Sequence, residues 1–226
     1  MEKHISVAID GPSGAGKSTL AKRAARHFGF IYVDTGAIYR TVGYAAQCAG
    51  LESKDAAGVQ ALLPGLDIRF EYDGTGTQRM LLDGRDVSEE IRTPKSSIYA
   101  SDAAAMPAVR AYLLEMQRET ARGHDVVMDG RDIGTVVLPD AGLKVFLTAS
   151  ARARAERRCR ELREKGMDAP FEDVLRDIEY RDSQDSSRAA APLRPAEDAV
   201  TLDTTALDFE ESFEALKKLI EERFSL

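Results

Sequence analysis

Residues 5–28 read ISVAIDGPSGAGKSTLAKRAARHF, and this stretch decides the fold. Its first five residues are apolar and rich in β-branched side chains, the pattern of a short strand buried on both faces. Leu20, Ala21, Ala24, Ala25 and Phe28 then give a helix an apolar stripe, and Gly29 is placed to end it. Between the two lies GPSGAGKS (11–18), which fits GxxxxGK[ST]. Gly11, Gly14 and Gly16 let the backbone curl so that successive N–H groups point inward at phosphate oxygens, and the helix N-terminus adds its positive dipole end. The plain alternative is a Gly-rich turn with a surface lysine. The strand–loop–helix context favours the phosphate-binding loop, with Lys17 reaching the β- and γ-phosphates of a nucleoside triphosphate and the Ser18 hydroxyl on Mg²⁺. The expected ATP site is Gly11, Pro12, Ser13, Gly14, Ala15, Gly16, Lys17, Ser18 and Thr19.

The same rhythm continues. FIYVD (30–34), DVVMD (125–129), LKVFLTA (143–149) and AVTLDTT (199–205) read as further strands, with a helix around 37–49 and an amphipathic helix at the end. Strands alternating with helices imply an α/β protein of the P-loop three-layer type, with a central parallel sheet. Residues 66–92 break the pattern: they alternate at period two around Gly-rich turns and read as a small antiparallel β insertion, expected on the acceptor side. The Arg-rich run SARARAERRCRELREK (150–165) reads as a helix, and a second helical segment follows Gly166. Residues 150–190 are therefore expected to form a helical lid on a single domain spanning 1–226.

Composition narrows the function. The chain has 226 residues and a net charge of −7, with a sequence pI near 5.2. Such a chain repels polyanions in bulk, so neither nucleic acid nor a membrane surface is an expected partner, and any anion site must be local. Cys48 and Cys159 stand far apart without a CxxC, which argues against a disulfide framework or a zinc site. MEKHISVAID lacks the apolar core of a secretion signal, and no run approaches the ~20 apolar residues of a membrane span. A soluble, cytoplasmic monomer is expected.

The guanine-specificity box NKxD needs an asparagine, and the sequence contains none. DGTG (73–76) matches a GTPase switch by letter but falls in the β insertion as a hairpin turn, and no LSGGQ-like signature of a transport ATPase is present. What remains is a small P-loop enzyme with a second anionic substrate, so the arginines become the residues to follow, because phosphoryl transfer is catalysed by positioning and charge stabilisation. VVMDGRD ends a strand, so Asp129, Arg131 and Asp132 emerge at the edge where open α/β sheets bind ligands. Asp129 also fits the role of supporting Mg²⁺, partly through water. YRDSQDSSR (180–188) places Arg181, Asp185 and Arg188 on one helical face; taken alone it also reads as a solvated face with internal ion pairs.

DGPSGAGKST, DTGAIYR (34–40), MPAVR (106–110), DGRDIGTVV (129–137) and YRDSQDSSRAAAPL (180–193), in this order, resemble the bacterial cytidylate kinases, a family of nucleoside monophosphate kinases. The resemblance covers about residues 5–205 and implies γ-phosphoryl transfer from Mg·ATP to CMP or dCMP. It implies that Asp132 accepts from the cytosine amino group, with Arg110 and Ser101 as donors to the base; by themselves Arg110 reads as a surface helix arginine and Ser101 as a helix cap. Cytosine offers a donor at N4 and acceptors at N3 and O2 where uracil reverses the polarity at positions 3 and 4, so a carboxylate and a cation there discriminate between them. The resemblance further places Thr35, Tyr39 and Arg40 at the CMP site, Thr35 standing where many members have serine. It puts Arg40, Arg131 and Arg188 on the acceptor phosphate, and Arg181 and Asp185 on the ribose hydroxyls. Arg154, Arg157 and Arg158 align with lid arginines that close on the triphosphate. Catalysis would then rest on Lys17, Arg131, Arg188 and Asp129. A kinase for another acceptor and a nucleotide-binding module without transfer activity are the rival readings.

Overall fold

The computed structural model describes residues 4–164 and 166–226. Strands β1 (Ser6–Asp10), β2 (Ile31–Asp34), β6 (Val126–Gly130), β7 (Leu143–Thr148) and β8 (Val200–Asp203) form one parallel sheet in the order β2-β6-β1-β7-β8. The central strand β1 is buried on both faces, as a βαβ sheet requires. Val7 and Ile9 pack with helices α1 (Lys17–Phe28) and α8 (Phe209–Phe224) through Leu20, Ala24, Phe213 and Leu216. Ala8 faces the opposite layer, which helices α2 (Thr35–Cys48) and α5 (Pro107–Gly123) fill with Ile38, Val42, Val109 and Leu113. The period-two alternation of one strand thus serves two cores. Gly29 closes α1 in the left-handed conformation, with φ of 73°, as its position suggested.

The insertion is a separate antiparallel sheet of β3 (Ile68–Tyr72), β4 (Gln78–Leu82) and β5 (Arg85–Asp86). DGTG forms its hairpin turn, where Asp73 accepts from the Thr75 and Thr77 N–H groups. Ile68, Met80 and Leu82 give it an apolar face that joins the α2–α5 core. Two polar contacts fix its position: the Tyr72 hydroxyl donates to Tyr32 O at 2.9 Å, and Gln78 Oε1 accepts from Asp34 N at 2.8 Å. It therefore rests on the junction between β2 and α2.

Two 3₁₀ turns, helix α3 (Ala56–Leu62) and helix α4 (Pro94–Ala104) complete the half that carries α2 and α5. The Arg-rich run forms α6 (Ala151–Glu164), and α7 (Phe171–Ser187) follows. These two helices share a small apolar seam of Ala155, Cys159, Val174 and Ile178. Among the described residues no helix is long and apolar enough to cross a membrane.

The carboxyl ends of β1 and β6 stand side by side, with Ile9 opposite Asp129 and Asp10 opposite Gly130. The turn leaving β1 crosses close to β7: a Cβ at Gly11, where φ is 150°, would lie 1.9 Å from Leu147 O. Gly11→Ala is expected to lower stability by roughly 3 kcal/mol or more through this backbone clash. Gly65→Ala, with nothing within 4 Å of its new methyl group, should stay within about 1 kcal/mol of the parent. Urea unfolding compares them, and equal midpoints for the two variants would overturn this account.

Candidate nucleotide-binding and phosphoryl-transfer site

The loop between β1 and α1 takes positive φ at Gly14 (74°) and Gly16 (88°) as well as Gly11. No side chain caps α1, so its first-turn N–H groups are free to receive an anion. Lys17 is buried across the loop and its Nζ donates to Pro12 O at 2.8 Å. Burial, reinforced by the nearby Arg131 charge, draws its ammonium down to about 7 against the opposing pull of Asp129, Asp10 and Asp185.

Asp129 stands beside it at the end of β6, 4% exposed. Its Oδ2 accepts from the Ser18 hydroxyl at 2.9 Å, its Oδ1 from the Tyr32 hydroxyl at 2.7 Å, and its carbonyl from Thr35 Oγ1 at 2.8 Å. Burial raises the Asp129 carboxyl above the usual carboxylate range, and the Asp34 charge adds to this. Among the described residues no three or more His, Cys, Asp or Glu side chains are placed to hold a metal ion together. One hydroxyl and one buried carboxylate do not make an all-protein cage. They suit Mg²⁺, which keeps several waters and takes further ligands from substrate phosphates.

Asp10 ends β1 and is 5% exposed. It accepts from the Ile133 and Gly134 N–H groups at 2.7 Å each. Burial pushes its carboxyl up to about 6 despite these two bonds.

The arginines gather on the other side. Asp132, buried, pairs with Arg110 through Oδ2 and lies 3.5 Å from Arg188 Nη2 through Oδ1. Burial raises its carboxyl, and the charges of Arg110 and Arg188 oppose that rise. Arg110 also sits 5.8 Å from the centre of the Tyr39 ring. Arg40 pairs with Asp34 at 2.9 Å, and Asp34 caps α2 by accepting from Ala37 N. A cleft of about 210 Å³ opens between Ser101 and Asp102 of α4, with Ala105 just beyond it, and Gln184, Asp185, Ser187 and Arg188 at the end of α7. Arg188 Nη2, buried at this cleft, has no hydrogen-bond partner among the described residues.

Two details differ from the helical-stripe reading. Asp185 is oriented by Arg131, at 2.7 Å, and not by Arg181, which makes no ion pair among the described residues. The helix also ends at Ser187, so Arg188 leaves it in extended geometry (φ −61°, ψ 137°) and turns back on Ala191 O. The physical reason is competition: Arg131 comes from the rigid end of β6 and needs no further ordering to meet Asp185.

Arg154, Arg157 and Arg158 have different settings. Arg154 is buried and donates to Ser13 O at 3.0 Å, to Ala149 O, and through both terminal nitrogens to Asp182. Arg157 is held by Thr204 and the Leu207 carbonyl, and Arg158 pairs with Glu161 on the surface. Only Arg154 touches the phosphate loop in this conformation. Asp10, Tyr32, Asp34, Gln78 and Asp182 were not singled out from the sequence. Asp10 had a signal, an acid closing an apolar strand; the others become legible only through distant partners.

A strand–loop–helix anion cradle, a buried lysine and an adjoining hydroxyl–carboxylate pair, with Arg40, Arg110, Arg131 and Arg188 paired to carboxylates nearby, define a P-loop phosphotransferase. Comparison with known proteins agrees. A family model described as cytidylate kinase matches residues 7–222. A cytidylate kinase of Syntrophotalea carbinolica is 47% identical over 99% of this chain and 94% of its own length. One of Geobacter sp. (strain M21) is 48% identical over 99% and 96%. The chain belongs to the cytidylate kinase family. Among solved structures, an uncharacterized protein from Eubacterium ventriosum shares the fold with a TM-score of 0.51 at 12% identity, covering 97% of this chain and all of its own.

At pH 8 a lysine lowered to about 7 is mostly neutral. Phosphate oxygens favour its charged form, so binding of tripolyphosphate at pH 8 is expected to take up a sizeable fraction of about one proton. Calorimetry in buffers of different ionisation heat measures this; absence of uptake, or equal uptake by Lys17→Ala, would contradict it.

Proposed function

We propose that this enzyme transfers the γ-phosphoryl group of Mg·ATP to CMP and dCMP, giving ADP with CDP or dCDP. The observation that carries the reading is the buried Asp132 carboxylate set between Arg110 and Arg188 beside the 210 Å³ cleft. A fixed acceptor group flanked by fixed donors matches the edge of cytosine and leaves uracil with opposed or unpaired groups. Exchanging internal ion pairs for contacts with the nucleotide keeps each charge compensated.

The phosphate of CMP would enter between Arg40, Arg131 and Arg188, while Asp185 and Arg181 meet the ribose hydroxyls. ATP would lie on Gly11–Thr19, its phosphates receiving the loop N–H groups and the Lys17 ammonium. Ser18 and, through water, Asp129 would hold Mg²⁺, which would supply charge neutralisation to the triphosphate. The attacking oxygen belongs to a phosphate already ionised at neutral pH, so no side chain need remove a proton. His4, His27 and His124 accordingly lie elsewhere: His4 pairs with Asp125, His27 packs on Phe28 and Phe213, and His124 sits near Thr120. Lys17, Arg131 and Arg188 share the charge that spreads over the γ-phosphoryl oxygens in flight. Arg154, docked on Ser13, is positioned to trade its Asp182 pairing for phosphate when α6 and α7 close and exclude water.

Lys17→Ala is expected to lower kcat on the order of 10²-fold or more while preserving the circular-dichroism spectrum. Near-normal turnover would overturn the assignment. A coupled ADP-release assay against CMP, dCMP, UMP, AMP, GMP and dTMP should show rapid turnover on the cytidine pair alone. In the same assay Asp132→Ala should cut the preference for CMP over UMP by about tenfold or more. Faster turnover on another acceptor would leave the P-loop chemistry standing and remove the base-reading role of Asp132.

A further inference from the structure

The reading above leaves Asp10 with no contact to either nucleotide, although it is among the most completely buried acids in the chain. Both of its oxygens are engaged: Oδ1 accepts from Ile133 N and Oδ2 from Gly134 N, each at 2.7 Å. These are the two peptide groups that follow Asp132. Asp132 has non-helical backbone angles (φ −151°, ψ 28°) and its side chain does not cap the helical turn Ile133–Val137 that it precedes. The first N–H groups of that turn would be orphaned without an outside acceptor. Asp10 is that acceptor, reaching across from the neighbouring strand.

The residue type is informative. A carboxylate accepts two parallel N–H bonds, whereas an asparagine amide offers one oxygen and would aim its own N–H groups at the second peptide. Holding a charge in so dry a place is costly, as the rise of its carboxyl to about 6 reflects. Gly134 is shaped for the approach: a Cβ there would lie 3.4 Å from Asp10 Oδ2 and 3.1 Å from Lys144 Cδ.

We propose that Asp10 is a positioning residue for base selectivity: by clamping the peptide groups after Asp132 it aims the Asp132 carboxylate between Arg110 and Arg188. The proposal rests on the reading of Asp132 as the group that faces the base. Because Asp10 also precedes Gly11, the same carboxylate ties the acceptor loop to the root of the phosphate loop.

The test is kcat/KM for CMP and for UMP at saturating ATP, in the parent enzyme, Asp10→Asn, Gly134→Ala and Asp132→Ala, with thermal unfolding of each. Both acceptors share the donor site, so the CMP:UMP ratio is blind to changes at ATP. Asp10→Asn is expected to lower that ratio about tenfold, chiefly through CMP, since small misplacements at a reacting site cost this much or more. Gly134→Ala, which crowds the same bond from the other side, should shift the ratio in the same direction by less, and it decides the matter if Asp10→Asn does not fold. Equal losses for CMP and UMP would indicate a purely structural role and overturn the proposal. A full CMP preference in Asp10→Asn, alongside lost preference in Asp132→Ala, would overturn it while sparing the base-reading role. An unchanged ratio in Asp132→Ala would overturn both.

Discussion

Three carboxylates are buried at the carboxyl edge of β1 and β6: Asp10, Asp129 and Asp132 are 5%, 4% and 4% exposed. Charges removed from water must find partners or be neutralised, and the three acids draw their partners from several elements. Asp129 takes Ser18 from α1, Tyr32 from β2 and, through its carbonyl, Thr35 from α2. Asp132 takes Arg110 from α5 and Arg188 beyond α7, and Asp10 takes the backbone between them in sequence. Satisfying the three acids therefore binds the loop after β1, the loop after β6 and both flanking layers into one assembly.

The same constraint explains why the site is rich in ion pairs before any nucleotide binds. Arg131 with Asp185, Arg40 with Asp34 and Arg154 with Asp182 hold cations that two polyanionic substrates can recruit. A chain of net charge −7 can in this way keep arginines at one site, each compensated by a carboxylate, without becoming a general polyanion binder. The two peripheral units differ in how firmly they are attached. The β insertion shares the large α2–α5 core and is pinned by Gln78 and Tyr72, whereas α6 and α7 are joined by a seam of four buried residues.

Much of this was legible in the chain because it depends on neighbours in sequence. The βα alternation, the Gly29 terminus, the DGTG hairpin and the Arg-rich helix all follow from periodicity and turn chemistry acting over a few residues. Pairings were less accessible. A helical stripe suggested Arg181 as the partner of Asp185, since i and i+4 neighbours meet on a helix. The actual partner, Arg131, lies 54 residues away on a strand end. The resemblance aligns Arg154 with lid arginines and names no protein partner for it; Asp182, 28 residues on, pairs with it while it donates to Ser13 O of the phosphate loop. Short-range spacing describes which residues share a face and is silent on which distant face is brought to meet them.

The sequence by itself determined the βαβ core, the anion cradle of residues 11–18 and the family motifs, because each is written in local backbone preference and residue type. The tertiary structure alone decided which carboxylate pairs with which arginine, that Asp10 accepts from the backbone following Asp132, and that the insertion rests on the β2–α2 junction. Those outcomes depend on burial and on distances between segments far apart in the chain, and a dielectric environment exists only once the chain has folded around it.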